Sequence, residues 1–276
     1  MANNKLNLDE GTAPEKKKDQ RSSSLFIGSA AKVFQVLHAF DGPNKQMPLS
    51  AIALTAGLDR SATQRVVYTL EQLGYLRRVN DTRDYSLTSK VMQFGFNYLK
   101  NNDVVGKAAP YLLEISKEIG ETVSLHELDE SEIVYVGRFP GRHLINVDIM
   151  VGTRLPAVIT AGGTAILSRS TDDVVENVLK KKFRPLTVHS EVDVSRLRNR
   201  IRQARDSGYA IIANETVLGD ISVASCITDE RGVAVAGVSI SVPASRWSME
   251  EVEDKLATTI RLAATSLSHS KFEAYR

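Results

Sequence analysis

Residues 49–87 read LSAIALTAGLDRSATQRVVYTLEQLGYLRRVNDTRDYSL. Ser50 is placed to cap a short helix carrying Ile52, Ala53 and Leu54. Ala56-Gly57-Leu58 then reads as a turn, because Gly tolerates positive φ and Leu58 can plug a core. A second helix follows, with Asp59 as its N-cap or, two residues later, a capping box from Ser61 to Gln64. Ala62, Val66, Leu70 and Leu73 repeat on one face of it. Arg60, Ser61, Gln64 and Tyr68 fall on the opposite arc, with Arg65 at its edge. Gly74 ends the helix. Residues 75–79 and 84–87 flank Asn80-Asp81-Thr82-Arg83 and read as a β-hairpin. Helix, turn, helix and basic hairpin in about forty residues is the order of a winged helix-turn-helix, which places one helix in the DNA major groove.

The side chains on the outward arc suit that use. Gln and Arg can read base edges with two hydrogen bonds, and Ser, Tyr and Arg can hold phosphates. Arg60, Ser61, Thr63, Gln64, Arg65 and Tyr68 are therefore the DNA-contact candidates of the helix. Arg77, Arg78 and Arg83 are those of the wing. A solvated amphipathic helix gives the same pattern in isolation, so the neighbouring elements decide. Upstream, Val33, Val36, Leu37 and Phe40 form a further amphipathic helix, ended by Asp41-Gly42-Pro43. Residues 25–90 hold eight Lys/Arg against five Asp/Glu, whereas 91–276 hold 22 against 24. The whole-chain charge of +2 hides this asymmetry, which fits a small DNA module on a neutral partner domain.

A chain of 276 residues can build two cores. Residues 1–24 are polar, with Lys16-Lys17-Lys18 and Ser22-Ser23-Ser24, and read as a disordered tail. Residues 25–88 form the DNA-binding domain, 89–102 a linker helix rich in Phe and Tyr, and 103–276 the second domain. There Tyr111, Leu112, Ile115 and Ile119 mark a helix closed by Gly120. Strands are expected at 122–128, 133–139, 144–149, 210–213, 221–228 and 233–242, and helices at 161–168, 171–182 and 194–207. A last helix begins at Ser248, with Glu251 as capping-box partner. Hairpins mixed with peripheral helices indicate α+β, not a doubly wound parallel sheet. Cys226 is the one cysteine, which suits a reducing cytoplasm. No apolar run approaches the ~18–20 residues that span a bilayer.

Several quoted stretches resemble the IclR family of bacterial regulators. AGLDRSATQRVVYTLEQLGYLRR (56–78) and YSLT (85–88) are similar to its DNA-binding half. ETVSLHELDESEIVYVGRF (121–139), VGTRLPAVITAGGTAILS (151–168) and RDSGYAIIANETVLGDISVASCITDERGVAVAGVSISVPASR (205–246) resemble its effector domain in order and spacing. The resemblance implies a GAF-like antiparallel sheet and a ligand-responsive regulator, a repressor in the first instance. The partners it implies are a palindromic operator, a small carboxylate effector and a second copy of the chain, as a dimer or dimer of dimers.

By position it places the effector at Ala161, Gly162, Gly163, Ser222, Ser239 and Ser241, with Ile212 beside them. The helix start Thr160-Ala161-Gly162-Gly163 supports an anion reading, because its free N–H groups and dipole favour a carboxylate. The same glycines would equally serve close packing. Thr164 stands where the family usually has Lys, and Ile211-Ile212-Ala213-Asn214 is more apolar than usual. Both departures suit a larger, more apolar acid such as an aromatic one.

Two rival readings remain open at this level. An enzyme would need a motif such as G-x-S-x-G, a P-loop or H-E-x-x-H, none of which occurs. The five His residues are scattered, so no metal and no cofactor is expected. A winged helix used only for protein contact would lack need of the wing arginines.

Overall fold

The computed structural model describes residues 23–42, 44–79, 82–142 and 149–268. The expected tail lies almost wholly outside them, as do the hairpin tip at Asn80-Asp81 and most of the strand expected at 144–149. The chain divides into two compact units, residues 1–93 and 94–276.

The first unit runs α1 (Gly28–His38), β1 (Met47–Pro48), α2 (Leu49–Ala56), α3 (Arg60–Gln72), β2 (Leu76–Arg78) and β3 (Asp84–Leu87). Val36, Phe40, Ile52, Val67, Leu70 and Leu76 share its core. Gly57 closes α2 at φ +66°, the left-handed conformation that glycine adopts without cost. The turn between the helices thus forms as expected. Ser50 does not cap α2; it lies inside the helix, whose cap position is Pro48. Met47 and Pro48 pair with Tyr85 and Asp84, so the wing has three strands in the order β1-β3-β2. Two residues are too short a run to show strand periodicity in a sequence.

In the second unit, α4 (Met92–Lys100) leads to α5 (Asp103–Ile119). The Asn102 side chain accepts from the Val105 amide to cap α5, and Gly120 ends it at φ +73°. A six-stranded antiparallel sheet follows, ordered β6-β5-β4-β9-β8-β7. Its strands are β4 (Thr122–Asp129), β5 (Glu132–Phe139), β6 (Arg154–Pro156), β7 (Ala210–Ala213), β8 (Asp220–Thr228) and β9 (Ala234–Pro243). The strand expected at 144–149 is not seen at Ile149, whereas β6 supplies the edge. Helices α6 (Ala161–Ser168), α7 (Asp172–Leu179) and α8 (Val194–Ser207) follow β6. After β9 comes α9 (Met249–Glu251), opened by the expected Ser248/Glu251 capping box. A π-helical turn and α10 (Ala257–Ser268) complete it.

Helices cover both faces of the sheet. Val123, Leu125, Val238, Ile240, Val223 and Ile221 pack with residues of α5 and α10. On the other face, Ala161 and Ala165 of α6 meet Ala204, Ala210, Ile212 and Ala224. Where β4 begins, buried Glu121 accepts two hydrogen bonds from Arg246 (2.9 and 3.0 Å) and one from the Trp247 indole (2.9 Å). This ties α5 and β4 to the turn after β9. Glu121→Leu should destabilise the second unit by about 2–3 kcal/mol. That is below the ~3–5 kcal/mol for breaking a fully buried pair, because Arg246 keeps partial solvent contact. Urea unfolding measures it; an unchanged midpoint would remove this contact from the account of the fold.

Candidate nucleic-acid interface and ligand site

In the first unit the start of α3 is fixed by Asp59, whose carboxylate accepts from the Ala62 amide at 2.8 Å. That bond, with the charges of Lys32 and Arg65, holds the Asp59 pKa below its ordinary value. Arg60, Ser61, Gln64, Arg65 and Tyr68 are exposed, with Tyr68 at 61%. Thr63 is a correction: it is fully buried, and its hydroxyl donates to the Asp59 carbonyl at 2.8 Å. The buried arc is Ala62, Thr63, Val67 and Leu70, and Leu73 is exposed. A hydroxyl satisfied by the carbonyl four residues back can be buried as a small apolar group would be. Thr63 therefore seats α3 and does not face outward. Arg65 shares a shallow cleft with Lys32 and Ser29 of α1, a basic neighbour that the linear reading passed over.

The wing arginines differ among themselves. The Arg77 guanidinium donates to the Ser86 hydroxyl (3.1 Å) and Arg78 donates to the Tyr85 hydroxyl (3.0 Å). Arg78 also lies 5.5 Å from the Tyr85 ring centre. Both are pre-positioned along β3, while Arg83 is exposed beside the tip.

In the second unit the sheet register assembles a polar surface beneath and beside α6. Ser124 of β4 stands between Arg138 of β5 and Ser239 of β9, followed by Ala224 of β8. One step along, Thr122, Ser241, Ser222 and Ile212 are aligned across four strands. Ser222 donates to Asp220 at 2.7 Å and lies 2.8 Å from the Ser241 hydroxyl. His126 is buried, with Nε2 2.7 Å from the Ser239 hydroxyl and its ring edge-on to Tyr135 at 4.4 Å. Among the described residues Ser124 Oγ, His126 Nδ1 and Thr164 Oγ1 are buried without hydrogen-bond partners, each costing on the order of 1–3 kcal/mol.

The glycines of α6 serve close packing. A Cβ on Gly162 would stand 2.5 Å from the His126 ring, and one on Gly163 would fall 2.2 Å from the Ala157 carbonyl oxygen. The Gly163 amide already donates to Thr160 Oγ1 at 3.1 Å. The helix-start donors left without an intrahelical acceptor are those of Ala161 and Gly162. Ala161, Gly163, Ile212 and Ser239 are buried, while Ser222 and Ser241 are half-buried. Residue-by-residue reading missed Ser124, His126, Tyr135, Arg138 and Asp220. The signal was present as Thr122, Ser124 and His126 alternating with Val123 and Leu125. Among the described residues, no three His, Cys, Asp or Glu side chains are grouped to hold a metal ion.

Burial, with Arg138 nearby, lowers the His126 pKa to about 3. Burial raises that of Asp220 to about 6, opposed by Ser222 and Arg138. Their effects on stability have opposite signs. Below the unfolded-state value near 6.5, the unfolded chain protonates His126 and the folded chain does not, so stability falls toward pH 3. Asp220 retains its proton in the folded state between about 4 and 6, adding stability there that is lost as pH rises through 6. Asp220→Asn should therefore steepen acid destabilisation between pH 6 and 4, by up to roughly 1.4 kcal/mol per pH unit. Urea midpoints at several pH values check this, and parallel profiles for both proteins would contradict it. Separately, Gly163→Ala should cost about 3 kcal/mol, the upper range for overpacking, because its contact is backbone. A thermal melt within a degree of the parent would refute that packing role.

Two family models match the chain in order. The IclR helix-turn-helix domain covers residues 29–80, and the bacterial transcriptional regulator IclR C-terminal domain covers residues 96–269. The Pca regulon regulatory protein of Pseudomonas putida is 30% identical over 90% of this chain and 85% of its own length. The transcriptional repressor IclR of Escherichia coli (strain K12) is 28% identical over 86% and 88%. A solved Rhodococcus sp. RHA1 chain described as a transcriptional regulator superposes with TM-score 0.75 at 32% identity, covering 88% of this chain and 97% of that one. An IclR homolog from Microbacterium hydrocarbonoxydans, complexed with 4-hydroxybenzoate, shares the fold at 22% identity, with TM-score 0.72 over 88% and 100%. Helix-turn-helix, wing and curled antiparallel sheet thus agree with both family models, and the chain belongs to the IclR family of bacterial transcriptional regulators.

Proposed function

We propose that this regulator is a repressor that binds a palindromic operator as a homodimer or dimer of dimers and changes operator affinity on binding a small organic acid. The observation that supports the acid is the half-buried polar surface beside the start of α6, with Arg138, Ser222 and Ser241 on it. Ala161 and Gly162 amides and the apolar Ile212 side extend it. The Escherichia coli relative is named a repressor, and the Microbacterium neighbour holds an aromatic hydroxy acid. Both support the direction of this reading. Its place of action is the cytoplasm, where the operator lies; no helix among the described residues is long and apolar enough to cross a membrane.

One recognition helix reads too few base pairs for genomic specificity, so two copies are needed. Helix α4 buries none of its residues within the chain, and Met92 and Phe96 are 71% and 63% exposed. This is the segment proposed to pair with a second copy, setting two α3 helices about one DNA turn apart or a multiple of it.

Strand β4 offers the coupling between sites. His126 faces the ligand surface, while the next residue, Glu127, accepts hydrogen bonds from Tyr98 of α4 and from Asn102, the cap of α5 (2.7 Å). A ligand that shifts β4 would move the grip on the linker. It must favour one arrangement over another, or no equilibrium shifts.

On DNA selected from a random pool, Gln64→Ala should cost on the order of 1–3 kcal/mol and relax preference at defined positions. Arg65→Ala is expected to do so too, whereas Arg83→Ala should weaken all sequences and flatten the salt slope by about one unit. Equal loss on specific and random DNA for all three would sink the base-reading assignment. For the sensor, operator affinity by fluorescence anisotropy should change by about 1–3 kcal/mol with the effector, and operator DNA should change effector affinity by the same factor. Glu127→Ala should shrink that coupling while leaving effector affinity in place. Unchanged coupling would rule out the β4 route.

A further inference from the structure

The polar face of the sheet has two chemically opposite ends, and hydrogen-bond direction defines them. Asp220 is ionised at neutral pH, since burial raises its pKa only to about 6. Its carboxylate can then only accept, so Ser222 must spend its proton on Asp220 Oδ2. The Ser222 oxygen, 2.8 Å from Ser241 Oγ, must therefore receive the Ser241 proton. The relay runs Ser241 to Ser222 to Asp220. What remains free at this end is acceptor capacity, on Ser241 Oγ and on Asp220 Oδ1. It calls for a hydrogen-bond donor.

The other end is a donor. Arg138 lies on β5 opposite Ser124, on the face that Ser124 and Ser239 share, and it is half-buried. Among the described residues no carboxylate lies within ion-pair distance of it, although nine other Arg or Lys side chains and one His make such pairs. Its charge is nonetheless felt at His126, Tyr135 and Asp220, on three different strands. The register puts Arg138 on the polar face, and a guanidinium offers a planar fork suited to a carboxylate. Beside it the Ser124 hydroxyl has no partner.

We infer that Arg138 is the carboxylate anchor of the ligand site and that the Asp220–Ser222–Ser241 relay receives a hydroxyl of the same ligand, so the site selects hydroxylated carboxylates over plain acids and over neutral alcohols. This rests on the reading of the second unit as an organic-acid sensor. It adds a specific anchor where the glycine-rich helix start alone would not distinguish one acid from another.

The test uses the full chain and titration calorimetry with two matched sets. One is 4-hydroxybenzoate, benzoate and 4-hydroxybenzyl alcohol; the other is lactate, propionate and propane-1,2-diol. In at least one set the hydroxy acid should bind at least about tenfold tighter than the plain acid and the alcohol, the scale of one hydrogen bond to a charged group. Arg138→Gln should lose about tenfold or more on the hydroxy acid while its affinity for the alcohol stays put. Arg138→Lys should recover part of the loss, which a merely structural arginine would not predict. Ser241→Ala should erase the preference for hydroxy acid over plain acid and keep the carboxylate requirement. If the parent binds a hydroxy acid and Arg138→Gln binds it equally well, the anchor is refuted and the sensor reading stands. If the plain acid binds as tightly as the hydroxy acid, the relay assignment falls. If no acid of either set binds the parent, the sensor reading fails together with the inference.

Discussion

Strands β4 and β9 are covered on both sides, and that double burial constrains the rest of the second unit. Side chains alternate across a strand, so Val123, Leu125, Val238 and Ile240 can join the apolar core against α5 and α10. Ser124, His126, Ser239 and Ser241 are thereby committed to the opposite face. Polar groups held out of water are costly unless they are paired. His126 and Ser239 meet that demand through each other, as do Ser222, Ser241 and Asp220. A polar face under cover is stable only if its groups find partners, which leaves Ser124 Oγ, His126 Nδ1 and Thr164 Oγ1 as the buried side-chain atoms without one among the described residues.

Helix α6 can lie on that face because two positions lack a side chain. Gly162 sits over the His126 ring, and a Cβ at Gly237 would approach the Gly162 carbonyl to 2.9 Å. Close approach lets Ala161 and Ala165 of α6 pack with Ala210, Ile212 and Ala224 of the sheet. The glycines act through this close packing. Their amides matter less, since one of them is already taken by Thr160.

In the first unit the corresponding constraint is the seating of α3. Its N-terminus is pinned by Asp59, its inner face by Ala62, Val67 and Leu70, and its end by Lys90, which donates to the Leu73 carbonyl at 2.7 Å. With rotation and ends fixed, Arg60, Ser61, Gln64 and Tyr68 are left outward on one arc. Ordinary helix packing therefore sets which side chains can reach DNA.

The sequence by itself determined the elements whose signals are local: the Gly57 turn, the Ser248 capping box, and the spans of α6, α8 and β7, where cap, period and turn residues lie within a few positions, whereas the choice of Asp59 over Ser61 as the cap of α3 was settled by the structure. The family was legible too, because its ordered segments survive as strings. Other features belong to tertiary structure alone. Two-residue β1 exists only because β3 offers it an edge. Thr63 is buried because α3 is rotated by about one residue from the arc its aliphatic spacing implies, which the Asp59 carbonyl permits. Arg138, Asp220 and Tyr135 join the face of His126 only through a register spanning four strands and a bulge at Leu125/His126. Such pairings join residues far apart in the chain, so no local window records them. The physical meaning of an arginine, a serine or a glycine there is set by what the sheet places opposite it.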